Sequence, residues 1–155
     1  NDKGDSCKII REFAFSKAKA LKNINLENIN MIGNNAFEDC ESLDNINLDS
    51  TYALGRRAFA NCKSLSFVDI TALRNAGEAT FINCTNLKTV KRIPSSVITF
   101  TWTFRNCTSL TGIIEIETQT DFMWMCFSGV DFEKQNLELH GKKENIEYLL
   151  STAYQ

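Results

Sequence analysis

The chain has 155 residues, of which 43% are apolar and 23% charged, and a formal net charge of −2. That length suffices for one domain with a real core. The weak charge, without any run of Lys/Arg, offers no electrostatic footprint for nucleic acid or an anionic membrane. No apolar stretch approaches the roughly 20 residues that cross a bilayer. The start, "NDKGDSCK", is too polar for a signal peptide. The expectation is therefore a cytosolic protein, or one whose targeting segment lies outside this sequence.

Along the chain, "CKIIREF" opens a first, partial unit, and a repeat then takes over. Phe15, Phe37, Phe59, Phe81, Phe104 and Phe127 stand at intervals of 22, 22, 22, 23 and 23. Three residues after each comes Ala18, Cys40, Cys62, Cys84, Cys107 or Val130. Six after come Leu21, Leu43, Leu65, Leu87 and Leu110; nine after come Ile24, Ile46, Val68, Val90 and Ile113. Leu26, Leu48 and Ile70 follow two positions on, with Ile93 and Ile116 one further along. A unit of this size buries about five apolar side chains at roughly 1.5–3 kcal/mol each. Ordering its backbone costs about 1–2 kcal/mol per residue, so no unit folds alone. Stacked in parallel, the units share one continuous core.

The segments "LKNINL", "LDNINL" and "LSFVDI" alternate apolar and polar residues, which predicts a short strand in each coil. In register these strands make a parallel sheet with coils about 4.8 Å apart. The "AFxxC" stretches, rich in Asn, Asp, Lys and Ser, predict a helical turn or 3₁₀ piece on the opposite wall. In that wall Cys40, Cys62, Cys84 and Cys107 read as small core hydrophobes, because Ala18 and Val130 fill the same slot without sulfur. Cys126, in the column of Ala14, Ala36 and Ala58, reads as core as well. Parallel side chains leave the Cβ atoms beyond the usual disulfide range of about 3.5–4.5 Å, so the thiols are expected to be free. Cys7 lies outside the repeat.

Asp39, Asn61, Asn83 and Asn106 precede the cysteines and predict a ladder of stacked carboxamides. The competing reading, a metal-binding stripe, lacks the glycine-rich nonapeptide such sites use. Asn83-Cys84-Thr85 and Asn106-Cys107-Thr108 match the glycosylation pattern, but they fall where the repeat needs a tight turn and read as coincidences of it.

"IGNNAFEDCESLDNINL" (32–48) and "IPSSV" (93–97) resemble the BspA-like leucine-rich repeats of bacterial and protozoan surface proteins, over about residues 9–130. Gly33, Gly55 and Gly77 keep the glycine of that unit, whereas most units lack its proline. The fold expected is β-rich within the α/β leucine-rich-repeat class. It is a single right-handed solenoid of five to six coils over 1–130, closed by a C-terminal cap over 131–155. In the cap, "NLELHG" (136–141) predicts one more strand, and Ile146, Leu149, Leu150 and Ala153 form the apolar stripe of a helix. The resemblance implies a protein secreted or held at a cell surface and used for adhesion or host interaction.

Two surfaces are candidates for binding. On the strand face, Asn45, Asn47, Asp49, Phe67, Asp69, Thr71 and Lys91 point between core positions, and such faces form extended binding surfaces. The plain alternative is a merely solvated sheet. Second, "FTWTF" and "FMWMCF" put Phe100 and Phe122, and Trp102 and Trp124, 22 residues apart. Those tryptophans either pack in a widened core or form an exposed aromatic platform suited to sugar rings or an apolar partner.

His140 is the single histidine; no HExxH, nucleophile elbow, phosphate loop or CxxC occurs, so no catalysis and no cofactor are expected. The function expected is a monomeric recognition module for a protein or glycan ligand, without nucleic acid or membrane insertion. A structural spacer is the alternative, although five units span only about 25 Å.

Overall fold

The computed structural model describes residues 7–97, 100–117 and 123–154. Phe122, and with it the expected Phe100–Phe122 pairing, lies outside them. The chain winds into a solenoid of stacked coils, and every strand pair among the described residues is parallel. Strands β1 (Ile9–Ile10), β2 (Met31–Ile32), β3 (Ala53–Leu54) and β5 (Asn75–Ala76) form one four-stranded sheet in the order β1-β2-β3-β5. Strands β4 (Phe67–Val68) and β6 (Thr89–Val90) pair separately. A third sheet joins β7 (Arg92–Ile93), β8 (Gly112–Ile116) and β9 (Leu137–Gly141).

The predicted strand ladder is therefore broken up, and the broadest sheet lies on the Ile-Gly segment instead. At "LKNINL" and "LDNINL" pairing shrinks to a single bridge, Asn23 to Asn45. The cause is local: Asn25 Oδ1 accepts the Glu27 N–H and Asn47 Oδ1 accepts the Asp49 N–H, each at 2.8 Å, which turns the chain away after one paired residue. On the Ile-Gly segment the coils can approach closely. A Cβ added at Gly33, Gly55 or Gly77 would lie 2.5, 2.4 or 2.3 Å from backbone nitrogen of the coil before it.

The opposite wall consists of consecutive turns around each Phe, cross-linked from coil to coil. In every coil three alternate residues donate N–H groups to the next one. Asn35, Phe37 and Asp39 donate to the carbonyls of Arg56, Ala58 and Ala60, and the same pattern holds at each interface from Phe13 to Ser128, at 2.7–3.2 Å. The intervening N–H groups fold back on their own coil, as Cys40 does to Phe37 O at 3.2 Å. Sending alternate N–H groups the same way requires left-handed residues at both outer donors, for example Asn35 (φ 55°) and Asp39 (φ 61°). Asn and Asp tolerate that conformation best, which is the backbone reason for Asp39, Asn61, Asn83 and Asn106, all at φ 59–61°.

Inside, the phenylalanines form one file. Successive ring centroids from Phe15 to Phe127 are 5.1–5.8 Å apart, and every ring is within 18° of parallel to the next. Phe37 through Phe127 are at most 1% exposed, whereas Phe15, on the end coil, is 36% exposed. Leu43, Leu65, Leu87 and Leu110 are fully buried beside them. The first coil has a neighbour on one side only, so its Ala18, Leu21 and Ile24 stay half-buried.

One column slips. Ile113 is exposed and Ile114 takes the inward position, because Gly112, at φ 81°, advances the phase by one residue just before it. The cap begins with α1 (Phe132–Gln135), whose N-cap Asp131 accepts the Lys134 N–H. Phe132 meets Phe127 edge-on at 5.9 Å and ends the ring file. Gln135 donates from its side chain to Leu110 O and to Cys107 O, the latter already accepting the Leu110 N–H. Helix α2 (Lys143–Ala153) buries Leu149 and Ala153 against the core, with Ile146 partly buried. Leu150 of the expected stripe is exposed instead, since the core contact follows the i, i+3, i+7 line and leaves i+4 at its edge.

Gly55→Ala is expected to destabilise the fold by about 1–3 kcal/mol through overpacking against backbone. Phe59→Ala, which opens a gap in the ring file, is expected to cost about 3–5 kcal/mol. Urea unfolding midpoints of the two variants and the wild type check both values.

Candidate functional site

Two internal ladders decide which polar groups are left for the surface. Asn61 donates to Asp39 Oδ1 at 2.7 Å, Asn83 to Asn61 Oδ1 at 2.8 Å, and Asn106 to Asn83 Oδ1 at 2.9 Å. Both glycosylation-pattern asparagines thus spend their amides inside the wall. The cysteines make a second ladder that size alone did not predict. Cys40, Cys62, Cys84 and Cys107 each donate the thiol to the carbonyl of Phe15, Phe37, Phe59 or Phe81, at 3.1–3.3 Å. That carbonyl already accepts the backbone N–H of the residue three positions on in its own coil, Ala18 in the first and a cysteine in the others, so the thiol fills its second lone pair. The slot therefore asks for a small apolar group that can also donate weakly. All six cysteines are free, and only Cys7 is exposed, its Sγ 3.4 Å from the Tyr52 hydroxyl.

On the strand face, Asn45, Asn47, Asp49, Thr71 and Lys91 are exposed and Asp69 is half-buried. Phe67 is 37% exposed, with the Lys91 ammonium 6.0 Å from its ring centroid, within cation–π range. Asp69 Oδ1 accepts both the Thr71 hydroxyl, at 2.5 Å, and the Thr71 N–H, at 3.0 Å. These bonds hold the Asp69 carboxyl below its usual range, with help from Lys91 and Arg92. Asn47 and Asp69 therefore close turns, while Phe67 and Lys91 close none. Beside them Asp49, Asp69, Thr71 and Ala72 line a shallow hollow of about 310 Å³.

The tryptophans do not enter the core. Trp124 is 45% exposed and Trp102 half-buried. Their rings lie 5.7 Å apart, tilted by 39°. The Arg105 guanidinium lies 5.8 Å from the Trp102 ring, and the indole N–H of Trp102 points at Met125 Sδ, 3.4 Å away. Phe100, by contrast, is buried against Phe104 at 5.9 Å. The backbone of the wall decides the outcome: Trp102 holds the left-handed outer-donor position of its coil, at φ 55° like Asn35, and its side chain lies toward the surface, whereas Phe100, outside that turn, packs inward.

Sequence reasoning missed two surfaces. Ile9, Met31 and Ala53 line an open groove outside the four-stranded sheet, hidden because the Ile-Gly segment did not read as a strand. A second groove, of about 770 Å³, lies between the last coil and the C-terminal end of α2 and includes Arg105, Asn106, Ser128, Asp131, Glu133 and Tyr154. Its signal in the sequence was Gly129, which stands where the polar ladder would place another Asn. His140, on β9, lies 3.7 Å from Glu115 and 3.2 Å from Glu138 on the exposed side of the third sheet.

Repeated coils, a shared ring file and parallel strands with a terminal helix define a leucine-rich-repeat solenoid, an architecture of interaction scaffolds. A family model for the BspA type leucine-rich repeat region, in six copies, matches residues 3–111 and 49–150. The chain belongs to that family. It matches no curated protein sequence and no solved structure at a significant level. No helix among the described residues is long and apolar enough to cross a membrane.

Burial pushes the thiols of Cys62, Cys84, Cys107 and Cys126 well above their ordinary value of 9.0. Above about pH 9 the unfolded chain loses these protons while the folded chain keeps them, so stability falls as pH rises. The limiting slope is about 1.4 kcal/mol per pH unit for each thiol. Cys84→Ala is expected to reduce that slope by one thiol's share in urea titrations between pH 8 and about 11. In the native wild type a water-soluble disulfide reagent is expected to label Cys7 alone.

Proposed function

We propose that the chain is a non-enzymatic recognition module, secreted or displayed at a cell surface, that binds a host or extracellular protein through its strand face. The observation that carries this reading is Phe67, an exposed aromatic roofed by Lys91 on a rigid and otherwise hydrated face. An aromatic ring with a cation beside it, surrounded by polar groups already fixed in turns, has the makeup of an interface anchor. The coils behind it are locked by backbone bonds, so little ordering entropy opposes association. Asn45, Asp49 and Thr71 supply the polar rim around the anchor. A spacer needs none of these features, and the short stack is a poor spacer.

The experiment is retention of the full chain on immobilised extracellular-matrix proteins, beside Phe67→Asn and Lys91→Ala variants. These two positions test the face without opening the turns held by Asn47 and Asp69. Phe67→Asn is expected to weaken retention at least tenfold, about 1.4 kcal/mol, and Lys91→Ala by less. Undiminished retention by both variants, with wild-type circular dichroism, removes this face as the site. Failure of the wild type to be retained on any of the proteins favours the spacer.

A further inference from the structure

The C-terminal groove holds polar atoms that the fold leaves unused, and through Arg105 it adjoins the aromatic surface of Trp102 and Trp124. Arg105 belongs to both, since it stacks on Trp102 and also lines the groove. Further in, the polar ladder stops. Gly129 occupies the position of the next Asn, and an added Cβ there would lie 2.1 Å from Asn106 Oδ1. Among the described residues nothing donates to that oxygen. The coil-to-coil bonding of the wall stops there too: Trp102, Phe104 and Asn106 donate to the last coil, but the matching Gly129 N–H has no acceptor among the described residues. Ser128, Asp131, Glu133 and Tyr154 add a hydroxyl, two carboxylates and a phenol around the same space.

From this juxtaposition we infer that the groove between the last coil and α2 is a glycan-binding subsite for an oligosaccharide, which passes Arg105 so that one pyranose ring lies on the exposed face of Trp124 while the next occupies the groove. Its hydroxyls would be met by the Gly129 N–H, Asn106 Oδ1, Glu133 and Arg105. The chemistry favours a sugar for two reasons. A ligand rich in hydroxyls uses donors and acceptors together, and the groove offers both within a small space. The apolar face of a pyranose matches the width of an indole, and such contacts place ring against ring. A cationic peptide fits less well, because Arg105 already holds the cation position on Trp102 and repels a second positive charge. Sequence placed Trp102 and Trp124 on neighbouring coils; the groove beside them comes from the cap.

The subsite is independent of the strand-face reading, and the two are read by different measurements on the same protein. Trp102 and Trp124 are the only tryptophans in the chain, so intrinsic fluorescence reports the aromatic end of this site alone. The full chain is titrated with β-1,4-linked trisaccharides of glucose and of N-acetylglucosamine, and with α-1,4-linked maltotriose. At least one is expected to give a saturable emission shift and to shield Trp124 from acrylamide. By calorimetry, Trp124→Ala is expected to weaken that sugar about threefold to tenfold, and Glu133→Ala to weaken it by less. No saturable response to any of the three at millimolar concentration overturns the inference. So does undiminished binding by a folded Trp124→Ala variant, or a response given by a Lys/Arg-rich peptide and by no sugar. Sugar binding without retention on protein ligands leaves this subsite standing and removes the strand-face reading; retention without sugar binding does the reverse.

Discussion

The wall of coil-to-coil hydrogen bonds around each phenylalanine sets everything else in this solenoid. Three N–H groups per coil point the same way and meet three carbonyls of the next, which fixes both the spacing and the phase of successive coils. Only with that phase fixed do equal sequence intervals become equal positions in space. The ring file from Phe15 to Phe127 and the fully buried leucines beside it follow from this register. A coil displaced by one residue would carry its phenylalanine out of the file and break the donors on both sides together.

The same wall poses a problem of polar satisfaction, and the repeat answers it twice. Left-handed turns leave side chains close-packed along the axis, where an unpaired polar atom costs about 1–3 kcal/mol. Asn61, Asn83 and Asn106 pass their amides along a chain that ends on the Asp39 carboxylate, and the cysteine thiols fill the second lone pair of the phenylalanine carbonyls. Cysteine suits that place because it is small, largely apolar and still a weak donor. Its burial is also what links stability to alkaline pH.

Interest at the surface concentrates where the repeat departs from itself. Phe67 replaces the Asn23 and Asn45 of earlier coils on the strand face. Trp102 replaces Asn35 on the turn wall, Trp124 stands where an earlier coil has Asn34, and Gly129 replaces the ladder asparagine. None of these substitutions improves the core, because each side chain faces outward or, in Gly129, is missing. The end coils differ for a plainer reason. The first is covered on one side only and keeps Phe13 and Ile9 exposed, whereas the last is closed by Phe132, Gln135 and α2.

By itself the sequence determined the solenoid, its period, the buried phenylalanine file, the amide ladder and the free state of the buried thiols. All of these depend on side chains meeting their own kind at fixed intervals, and intervals are visible in one dimension. Tertiary structure decided what depends on backbone approach and phase. The broadest sheet moved to the Ile-Gly segment because three glycines let the coils close up there, and Asx turns cut short the ladder expected at "LDNINL". Ile114 displaced Ile113 because Gly112 shifts the phase. The tryptophans faced outward, and the groove beside them exists only because a helix from the far end of the chain packs against the last coil. A groove lined by Tyr154 on one side and Arg105 on the other has no period, so no count along the chain could announce it.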